Sequence, residues 1–443
     1  MVKAKSGPKR ILILGGGYVG LYTALGLQRK LRSLEASVTV VDPQPHMTYQ
    51  PFLPEAAAGS IEPRHVVVPL RQVLKRCTVL TARVTKVDHA AKVATVEALD
   101  GRAEEIGYDV LISALGSVAR VLPIPGLVDR GIGFKTVGEA IYLRNHVMGR
   151  LDLAVSTRDE EARRKLLTFV VIGGGYAGIE ALAELEDMTR YAIKHYYQGI
   201  EVDEMRWVLV EAARRIMPEV SEKMGVYTVK CLEERGIEVY LDTLTKSVED
   251  GHVVLSDGTE FDADTVIWTA GVKANPVLAN TDLPLDQRGR VRCTEQLRVD
   301  GVPDAWAAGD CAAVPDLSRI AEDPSATCGP SAQHAVRQAK HLVKNVLADL
   351  RGGTPTPYVH EYAGSVASLG LYKGVSDVYG AVKLKGFLAW GMHRAYHLSR
   401  MPTFNRKVRI MFDWLGAFVF RREVISMGQL QDPKAEFARV SES

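Results

Sequence analysis

The stretch ILILGGGYVG (residues 11–20) is matched by a second stretch of the same pattern, FVVIGGGYAG (residues 169–178). Each begins with four apolar residues that do not alternate with polar ones, and three glycines follow at once. Such a run predicts a strand buried on both faces, as in a parallel sheet, and the apolar spacing after the glycines predicts helices over 21–31 and 179–188. The chain therefore contains one strand–turn–helix unit twice, 158 positions apart.

The glycines indicate turns that bind phosphate. Glycine permits a tight turn, lets the backbone approach a pyrophosphate, and lets the helix lie close to the strand, so that its positive N-terminus faces the anion. We therefore expect each turn to hold a dinucleotide. The predicted contacts are Gly15, Gly17, Tyr18, Val19 and Gly20 in the first unit, and Gly173, Gly175 and Gly178 in the second.

Each unit also has an acid at the end of its second apolar run. Asp42 follows residues 38–41, and Glu211 follows residues 207–210. A carboxylate at this position accepts hydrogen bonds from ribose hydroxyls, and it repels a 2′-phosphate. Glu211 thus favours NADH over NADPH, although the nearby Arg214 and Arg215 leave open a site that accommodates the phosphate.

The sequence that follows each nucleotide turn is repeated as well. Residues 109–116 and 264–271 both begin with Asp, continue as an apolar strand and end with Gly, and each is preceded by alternating apolar sequence with an Asp-Gly turn. The alternation predicts a small antiparallel sheet in both units. Further cofactor contacts are predicted at Val84, Ala114 and Gly116 in the first unit and at Gly271 in the second.

A later segment, VPDAWAAGD (residues 302–310), indicates how the two units are connected. It resembles the Gly-Asp fingerprint of flavoproteins with two dinucleotide domains, which implies that Gly309 and Asp310 lie at FAD, with the Asp at its ribityl chain. Because the segment follows the second unit, that unit would be inserted in the first. We predict an α/β fold with two Rossmann-like domains: an FAD-binding domain (1–125 and 288–350), an NADH-binding domain (126–287) and a C-terminal membrane-association region (351–443).

Two dinucleotide sites in one chain are explained by one resident FAD and by NADH as a visiting cosubstrate, with hydride passing between the rings. Glu180 lies two residues after Gly178. One interpretation is structural, because a carboxylate is favourable near a helix N-terminus. The other is catalytic: Glu180 faces the nicotinamide and orients it against the flavin.

The segment CGPSAQHAVRQ (residues 328–338) resembles that of the type II NADH:quinone oxidoreductases, and the likeness extends over residues 10–425. The resemblance implies oxidation of NADH by FAD and two-electron reduction of a membrane quinone, without ion pumping. It places Ala332 and Gln333 at the quinone pocket and gives Gln333 a catalytic role there, the alternative being a polar residue at a helix start. Arg337 is also expected at the quinone pocket, where it stands in a position at which a second Gln is common in the family.

The formal net charge of +2 gives no reason to expect a nucleic-acid partner, but residues 381–422 hold nine basic residues and one acid. Apolar side chains at helical spacing (Val408, Met411, Phe412, Trp414, Leu415, Phe418 and Val419) lie between the basic groups. This pattern predicts an amphipathic helix on an anionic membrane surface, peripheral on the cytoplasmic face of a bacterial plasma membrane. Alternatively the apolar residues pack on the body or form a homodimer contact. His393 and His397 are predicted to be surface residues.

The five cysteines are scattered and never spaced CxxC. This pattern argues against a zinc ribbon, a disulfide framework and a dithiol redox centre, and we predict no metal site. Two rivals remain open. One is a sulfide:quinone oxidoreductase, for which Cys311 would have to lie near the cofactor. The other is a flavoprotein switch that binds a partner through its tail when NADH reduces it.

Overall fold

The structure, a computed structural model, describes residues 7–360, 364–378 and 382–427. Its α-helices are α1 (Tyr18–Lys30), α2 (Leu53–Ala57), α3 (Leu70–Val73), α4 (Leu127–Arg130), α5 (Val137–Ser156), α6 (Glu160–Leu166), α7 (Tyr176–Tyr196), α8 (Glu222–Glu233), α9 (Ala332–Leu350), α10 (Gly386–Arg400) and α11 (Phe404–Val419). Ala381, which begins the predicted membrane-surface segment, and residues 428–443 of the predicted C-terminal region lie outside the described residues.

The strands of the described residues include the predicted apolar runs, together with several short strands that we did not predict. They are β1 (Lys9–Leu14), β2 (Ala36–Asp42), β3 (His46–Thr48), β4 (Val67–Pro69), β5 (Thr78–Asp88), β6 (Val93–Ala98), β7 (Ala103–Gly107), β8 (Val110–Ser113), β9 (Ser117–Ala119), β10 (Gly131–Gly133), β11 (Thr168–Ile172), β12 (Arg206–Val210), β13 (Glu238–Tyr240), β14 (Thr245–Ser247), β15 (His252–Leu255), β16 (Glu260–Asp262), β17 (Thr265–Trp268), β18 (Val272–Ala274), β19 (Val291–Arg292), β20 (Ala305–Ala307), β21 (Ala312–Ala313), β22 (Ser365–Ser368), β23 (Gly374–Val378) and β24 (Val382–Lys385).

The chain divides into two compact units. The first takes the described residues of Met1–Met47, Val68–Val118 and Val272–Tyr362, and the second takes those of Thr48–Val67, Ala119–Gly271 and Ala363–Ser443. These bounds differ from the domain boundaries that we predicted. The described residues of 351–443 divide between the two units, and the short segment 48–67 belongs with the second unit.

The first unit contains a seven-stranded sheet with the order β20-β8-β1-β2-β5-β6-β7. Strands β20, β8, β1, β2 and β5 are parallel, whereas β5, β6 and β7 form the antiparallel part that the Asp-Gly turn indicated. Ile11 to Leu14 are all buried, as expected for a strand covered on both faces. Strand β20 follows the second glycine unit in the sequence, yet it pairs with β8, so the chain leaves this sheet and returns to it.

The second unit contains a five-stranded parallel sheet with the order β10-β17-β11-β12-β13. Two antiparallel sheets accompany it, β14-β15-β16 and β22-β23-β24. The centre of the parallel sheet is apolar, and Phe169 on β11 stacks on Trp207 on β12 with ring centroids 4.5 Å apart. This sheet therefore repeats the arrangement of β1 and β2, in which the strand before the glycines pairs with the strand before the acid.

Helix α7 is longer than the sequence reading predicted. We expected a helix over 179–188, but α7 extends from Tyr176 to Tyr196. Thr189, Ala192 and Ile193 are buried, so the buried face of the helix continues through residues that we had left outside it. None of the described helices combines the length and the apolar character that a bilayer crossing requires.

We predict that Gly20→Ala lowers the free energy of unfolding by about 1–3 kcal/mol. Its Cβ would lie 1.8 Å from the backbone O of Gly15, and a backbone atom cannot move aside unless the turn opens. Urea unfolding followed by circular dichroism measures the change. The matched control is Gly17→Ala, because its Cβ position has only its chain neighbours within 4 Å in the part of the chain that the structure describes. Equal losses of stability in the two variants would contradict this packing argument.

Candidate active site

The first glycine turn lies directly against the end of β8. Gly15 has φ of +104°, and a Cβ there would lie 2.2 Å from the backbone O of Ala114. Gly16 N donates to Asp42 Oδ2 (2.6 Å), and Gln44 N donates to Asp42 Oδ1 (2.7 Å). Burial raises the pKa of Asp42, and these two backbone donors oppose that shift. The predicted acid is thus fixed at the turn by the backbone on either side of it.

The N-terminus of α1 is open to an anion. Its N-cap is Gly17, with no side-chain cap and no acid in the first turn, whereas α5, α6, α9 and α11 are each capped by a side chain. Apart from their chain neighbours, no atom of the described residues lies within 4 Å of the Cβ positions of Gly17 and Gly116. Uncapped backbone N–H groups beside open space fit the diphosphate of a dinucleotide.

The Gly-Asp segment joins the same turn. Gly309 has φ of +76°, and its Cβ position would lie 2.7 Å from Val19 Cγ2. Asp310 Oδ2 accepts a hydrogen bond of 2.6 Å from Ser117 Oγ. The structure therefore brings together, within the first unit, the predicted contacts at 15–20, 42, 114–116 and 309–310. Val84 is buried on β5, opposite Val96.

Gln338 is a residue of this site that we missed. Its buried Oε1 accepts a hydrogen bond of 2.7 Å from Gly309 N, so α9 supports the Gly-Asp turn. The sequence offered a signal, since a Gln stands directly after Arg337, but we compared only the position four residues after Gln333. The residue at that position, Arg337, contacts Gln333 itself, because its Nη1 donates to Gln333 Oε1 at 2.8 Å. Ala332, the first residue of α9, is exposed.

A second cluster in the first unit also escaped the sequence reading. Asp316, Cys328 and His334 place one ligand atom each within 4.8 Å of one another. Burial raises the pKa of Cys328 to about 12 and lowers that of His334 to about 4, which leaves a neutral thiol and a neutral imidazole. His334 lies in the first turn of α9 and the other two residues lie in loops, and their spacing in sequence follows no metal-binding pattern.

The second glycine turn repeats the geometry of the first. Gly173 has φ of +115°, and the Cβ position of Gly178 lies 2.0 Å from the backbone O of Gly173. Gly174 N donates to Glu211 Oε2, and Ala213 N donates to Glu211 Oε1 at 2.7 Å. Helix α7 has Gly175 as its N-cap, again with no side-chain cap and no acid in its first turn. Gly271, with φ of +87°, ends the turn after β17.

Glu180 is buried, and its partners come from residues far along the chain. Its Oε1 accepts a hydrogen bond of 2.9 Å from Ser368 N and lies 3.0 Å from His393 Nε2. His393 is only 1% exposed, so our prediction that it is a surface residue was wrong. That prediction rested on the lack of a nearby acid in the sequence, and the acid is supplied by α7.

His397 is also not a surface residue of the kind we predicted. It is partly buried, its Nδ1 lies 3.2 Å from Tyr49 Oη, and its ring contacts His393 with centroids 4.5 Å apart. Burial lowers the pKa of His397 well below its usual range, and the neighbouring His393 adds to the shift. His397 is therefore neutral beside His393.

In residues 381–422, which we call the basic tail, three side chains contact buried carboxylates of the second unit. Arg394 Nη2 lies 2.7 Å from Glu55 Oε2, and Trp414 Nε1 donates to the same oxygen at 2.7 Å. Arg422 pairs with the buried Glu184 at 3.4 Å. We had counted all three among the membrane-facing residues, and that assignment was wrong because buried carboxylates of the second unit require partners.

Cys311 is fully buried behind the Gly-Asp turn. Its Sγ lies 3.4 Å from Ala308 O and 3.6 Å from Ser113 O, and burial raises the pKa of the thiol. The described cysteines are all free thiols. Such a protonated, enclosed thiol is a poor nucleophile.

We predict that Gln338→Leu weakens retention of the flavin expected at this turn. The change removes the acceptor of Gly309 N–H, at a cost of about 1 kcal/mol, and loosens the backbone that carries Asp310. Flavin absorbance per protein after gel filtration measures the effect. Lys340→Leu, an exposed substitution on the same helix, is the control. Full flavin retention by Gln338→Leu would show that α9 does not support the turn.

Comparisons with known proteins agree with this geometry. The family model described as pyridine nucleotide-disulphide oxidoreductase matches residues 5–339. The type II NADH:quinone oxidoreductase Ndh of Mycobacterium tuberculosis is 27% identical over 427 residues, which cover 93% of this chain and 89% of the relative. The type II NADH:quinone oxidoreductase of Staphylococcus haemolyticus is 31% identical over 377 residues, or 84% of this chain and 90% of the relative.

A solved structure shares the fold over nearly the whole chain. NDH2 from Plasmodium falciparum in complex with NADH superposes with a TM-score of 0.86 at 18% identity, covering 94% of this chain and 99% of that one. The extent of the family model, and an identity above 30% over most of the chain, establish the relationship. The chain belongs to the type II NADH:quinone oxidoreductases, within the pyridine nucleotide-disulphide oxidoreductase family.

Proposed function

We propose that this chain oxidises NADH with a resident FAD and passes the two electrons to a quinone at a membrane surface, without pumping ions. The observation that carries the proposal is the duplicated site: two uncapped helix N-termini, each beside a glycine turn and a fixed carboxylate. Family membership supports the same conclusion. When bound, FAD accepts hydride from NADH and passes the two electrons on to the quinone.

In the first unit, the proposed role of the protein is to hold the flavin in place. The N-terminus of α1 binds the diphosphate of FAD, and Asp42 accepts hydrogen bonds from the ribose hydroxyls. Asp310 faces the ribityl chain, held by Ser117 on one side and by the Gln338–Gly309 hydrogen bond on the other. Gln333, joined to Arg337, is proposed to contact the quinone together with Ala332.

In the second unit, the proposed cosubstrate is NADH. The N-terminus of α7 binds the diphosphate of NADH, and Glu211 accepts hydrogen bonds from the hydroxyls of the adenosine ribose. Arg215, which the sequence left as a candidate for binding a 2′-phosphate, instead donates to the backbone carbonyls of Pro218 and Val220. Arg214 is 90% exposed, and its Nε lies 3.9 Å from Asp242. These positions support a preference for NADH over NADPH.

The tail supports docking to a bilayer. One face of α10 and α11 presents exposed apolar side chains: Phe387, Leu388, Phe404, Met411, Phe412, Leu415, Phe418 and Val419. Arg394 and Arg422 are assigned to internal pairs, and the described tail also carries basic residues that are exposed to solvent: Lys383, Lys385, Arg400, Arg409 and Arg421. We propose peripheral attachment through this face, on the cytoplasmic side of a bacterial membrane.

The enclosed thiol of Cys311 argues against sulfide as the electron donor, because a sulfide:quinone oxidoreductase needs reactive cysteines at its flavin. The rival of a flavoprotein switch differs in turnover. If NADH produced a reduced flavin that persisted in the presence of quinone, the switch would be favoured and the oxidoreductase would be ruled out.

The first test of the function is stopped-flow mixing of the holoenzyme with NADH and then with a short-chain quinone. Flavin absorbance should bleach with NADH and recover rapidly with quinone.

In Glu211→Gln the loss of charge should raise the NADPH-to-NADH ratio of kcat/KM by roughly tenfold, since the repulsion of a 2′-phosphate is removed. Glu222→Gln, an exposed substitution at the start of α8, is the control. An unchanged ratio in Glu211→Gln would refute the role given to that carboxylate.

A separate test addresses the membrane surface. The double variant Phe412→Ser, Phe418→Ser should co-sediment with phosphatidylglycerol vesicles at least about tenfold more weakly, because two exposed rings no longer enter the bilayer interface. Turnover with a water-soluble quinone should be unchanged. Leu99→Ser, which removes an 80% exposed apolar side chain from the first unit, should bind vesicles normally. Equal vesicle binding by all three proteins would exclude this face as the attachment site.

A further inference from the structure

The second unit contains a buried set of ionisable groups that the proposed function does not yet use. Glu180 on α7 contacts His393 on α10, and His393 contacts His397 one turn later, which in turn reaches Tyr49. His393 is 1% exposed and Glu180 is 6% exposed. A carboxylate and an imidazole removed this far from water must be assigned charges that balance.

The charge assignment follows from the neighbours of His393. Glu180 and Glu55 favour its cationic form, Arg394 opposes it, and His397 is neutral. Burial is the largest single cause and lowers the pKa of His393, but the Glu180 and Glu55 carboxylates together outweigh it and the net shift of the pKa is upward. Arg394 is already paired with Glu55 at 2.7 Å. His393 is thus the cation that balances Glu180, and Arg394 is the cation that balances Glu55.

The contacts of His393 and Ser368 with Glu180 involve the same carboxylate oxygen. Both His393 Nε2 and Ser368 N lie against Oε1, at 3.0 Å and 2.9 Å. The imidazole is at ion-pair distance without the alignment of a hydrogen bond. Its effect on Glu180 is therefore mainly electrostatic, while the backbone N–H of Ser368 sets the direction of the carboxylate.

We infer that His393 is a positioning residue for hydride transfer, whose positive charge keeps Glu180 an oriented carboxylate that stabilises the nicotinamide ring as that ring becomes positive. The inference rests on the proposed function and on the catalytic interpretation of the sequence, in which Glu180 faces the nicotinamide. When NADH gives up hydride from its C4, the neutral dihydronicotinamide becomes a pyridinium cation. A carboxylate fixed nearby in a low-dielectric site lowers the energy of that developing charge, whereas a protonated carboxyl does not.

The same argument predicts a difference between the two oxidation states of the nucleotide. NAD⁺ carries the positive ring and NADH does not, so an ionised Glu180 favours NAD⁺. If His393 loses its charge by mutation, the buried Glu180 carboxylate loses the cation that balances it, and burial without a partner favours the neutral form of a carboxyl group. Binding of NAD⁺ would then weaken and become dependent on pH, while binding of NADH would change little.

The test measures NAD⁺ and NADH affinity of the oxidised holoenzyme by calorimetry between about pH 6 and 9, alongside the rate of flavin bleaching by NADH. In the wild type we expect NAD⁺ affinity to be nearly constant over this range. In His393→Gln it should fall roughly tenfold at the acidic end and recover toward the alkaline end, and the bleaching rate should fall by up to about 10²-fold with the same pH dependence. His393→Lys retains a cation and should restore the flat profile.

His146→Gln is the matched control, because it removes another largely buried imidazole of the same unit, one that contacts Thr265 rather than Glu180. If His393 serves only to hold α10 against α7, His393→Gln will lose thermal stability while its NAD⁺ affinity stays flat with pH, and the inference is overturned. Should that variant fail to fold, infrared difference spectra of wild type against Glu180→Gln decide the matter: an ionised carboxylate at neutral pH supports the inference, and a protonated carboxyl overturns it.

Failure of the proposed function would look different. In that case the wild-type protein would neither bind NAD⁺ nor bleach with NADH. A wild-type protein that does both, together with a His393→Gln variant indistinguishable from it, would refute the role of His393 alone.

Discussion

The close approach of each nucleotide-binding helix to its own glycine turn is the constraint on which the rest of the site depends. A Cβ on Gly20 would lie 1.8 Å from Gly15 O, and one on Gly178 would lie 2.0 Å from Gly173 O. This contact seats the first turn of the helix on the end of the strand. Its N–H groups are thereby left without side-chain caps, and the acid of the next strand is brought against the turn.

Features set by neighbouring residues could be predicted from the sequence. The strand before each glycine run, the antiparallel β5-β6-β7 ladder and the acids Asp42 and Glu211 all depend on local patterns, and the structure has them where we expected them. The end of α7 was predicted too early because we stopped at Met188, although Ala192 and Ile193 continue its buried face. Gln338 was missed because we searched a fixed spacing instead of asking which side chain supports Gly309.

Pairings between distant residues could not be predicted in this way. Glu180 and His393 are separated by more than two hundred positions, and two histidines four residues apart are equally compatible with a surface and with a buried pair. The sequence likewise could not show which basic residues of the tail are exposed and which are paired internally. A count of basic residues does not distinguish Arg421, which is exposed, from Arg422, which is buried against Glu184. Only the packing of the tail within the second unit separates these roles.

The tail is consequently a structural part of the second unit as well as a membrane-facing surface. It supplies partners to three buried carboxylates: Arg394 to Glu55, Arg422 to Glu184 and His393 to Glu180. Leaving a buried charge unpaired costs about 3–5 kcal/mol, so the second unit cannot lose the tail without a large penalty. Helix α10 presents Phe387 and Leu388 outward while His393 lies inward. Contact with a bilayer and the electrostatics at Glu180 are therefore carried by the same helix, and a shift of α10 on the membrane would alter the distance between His393 and Glu180.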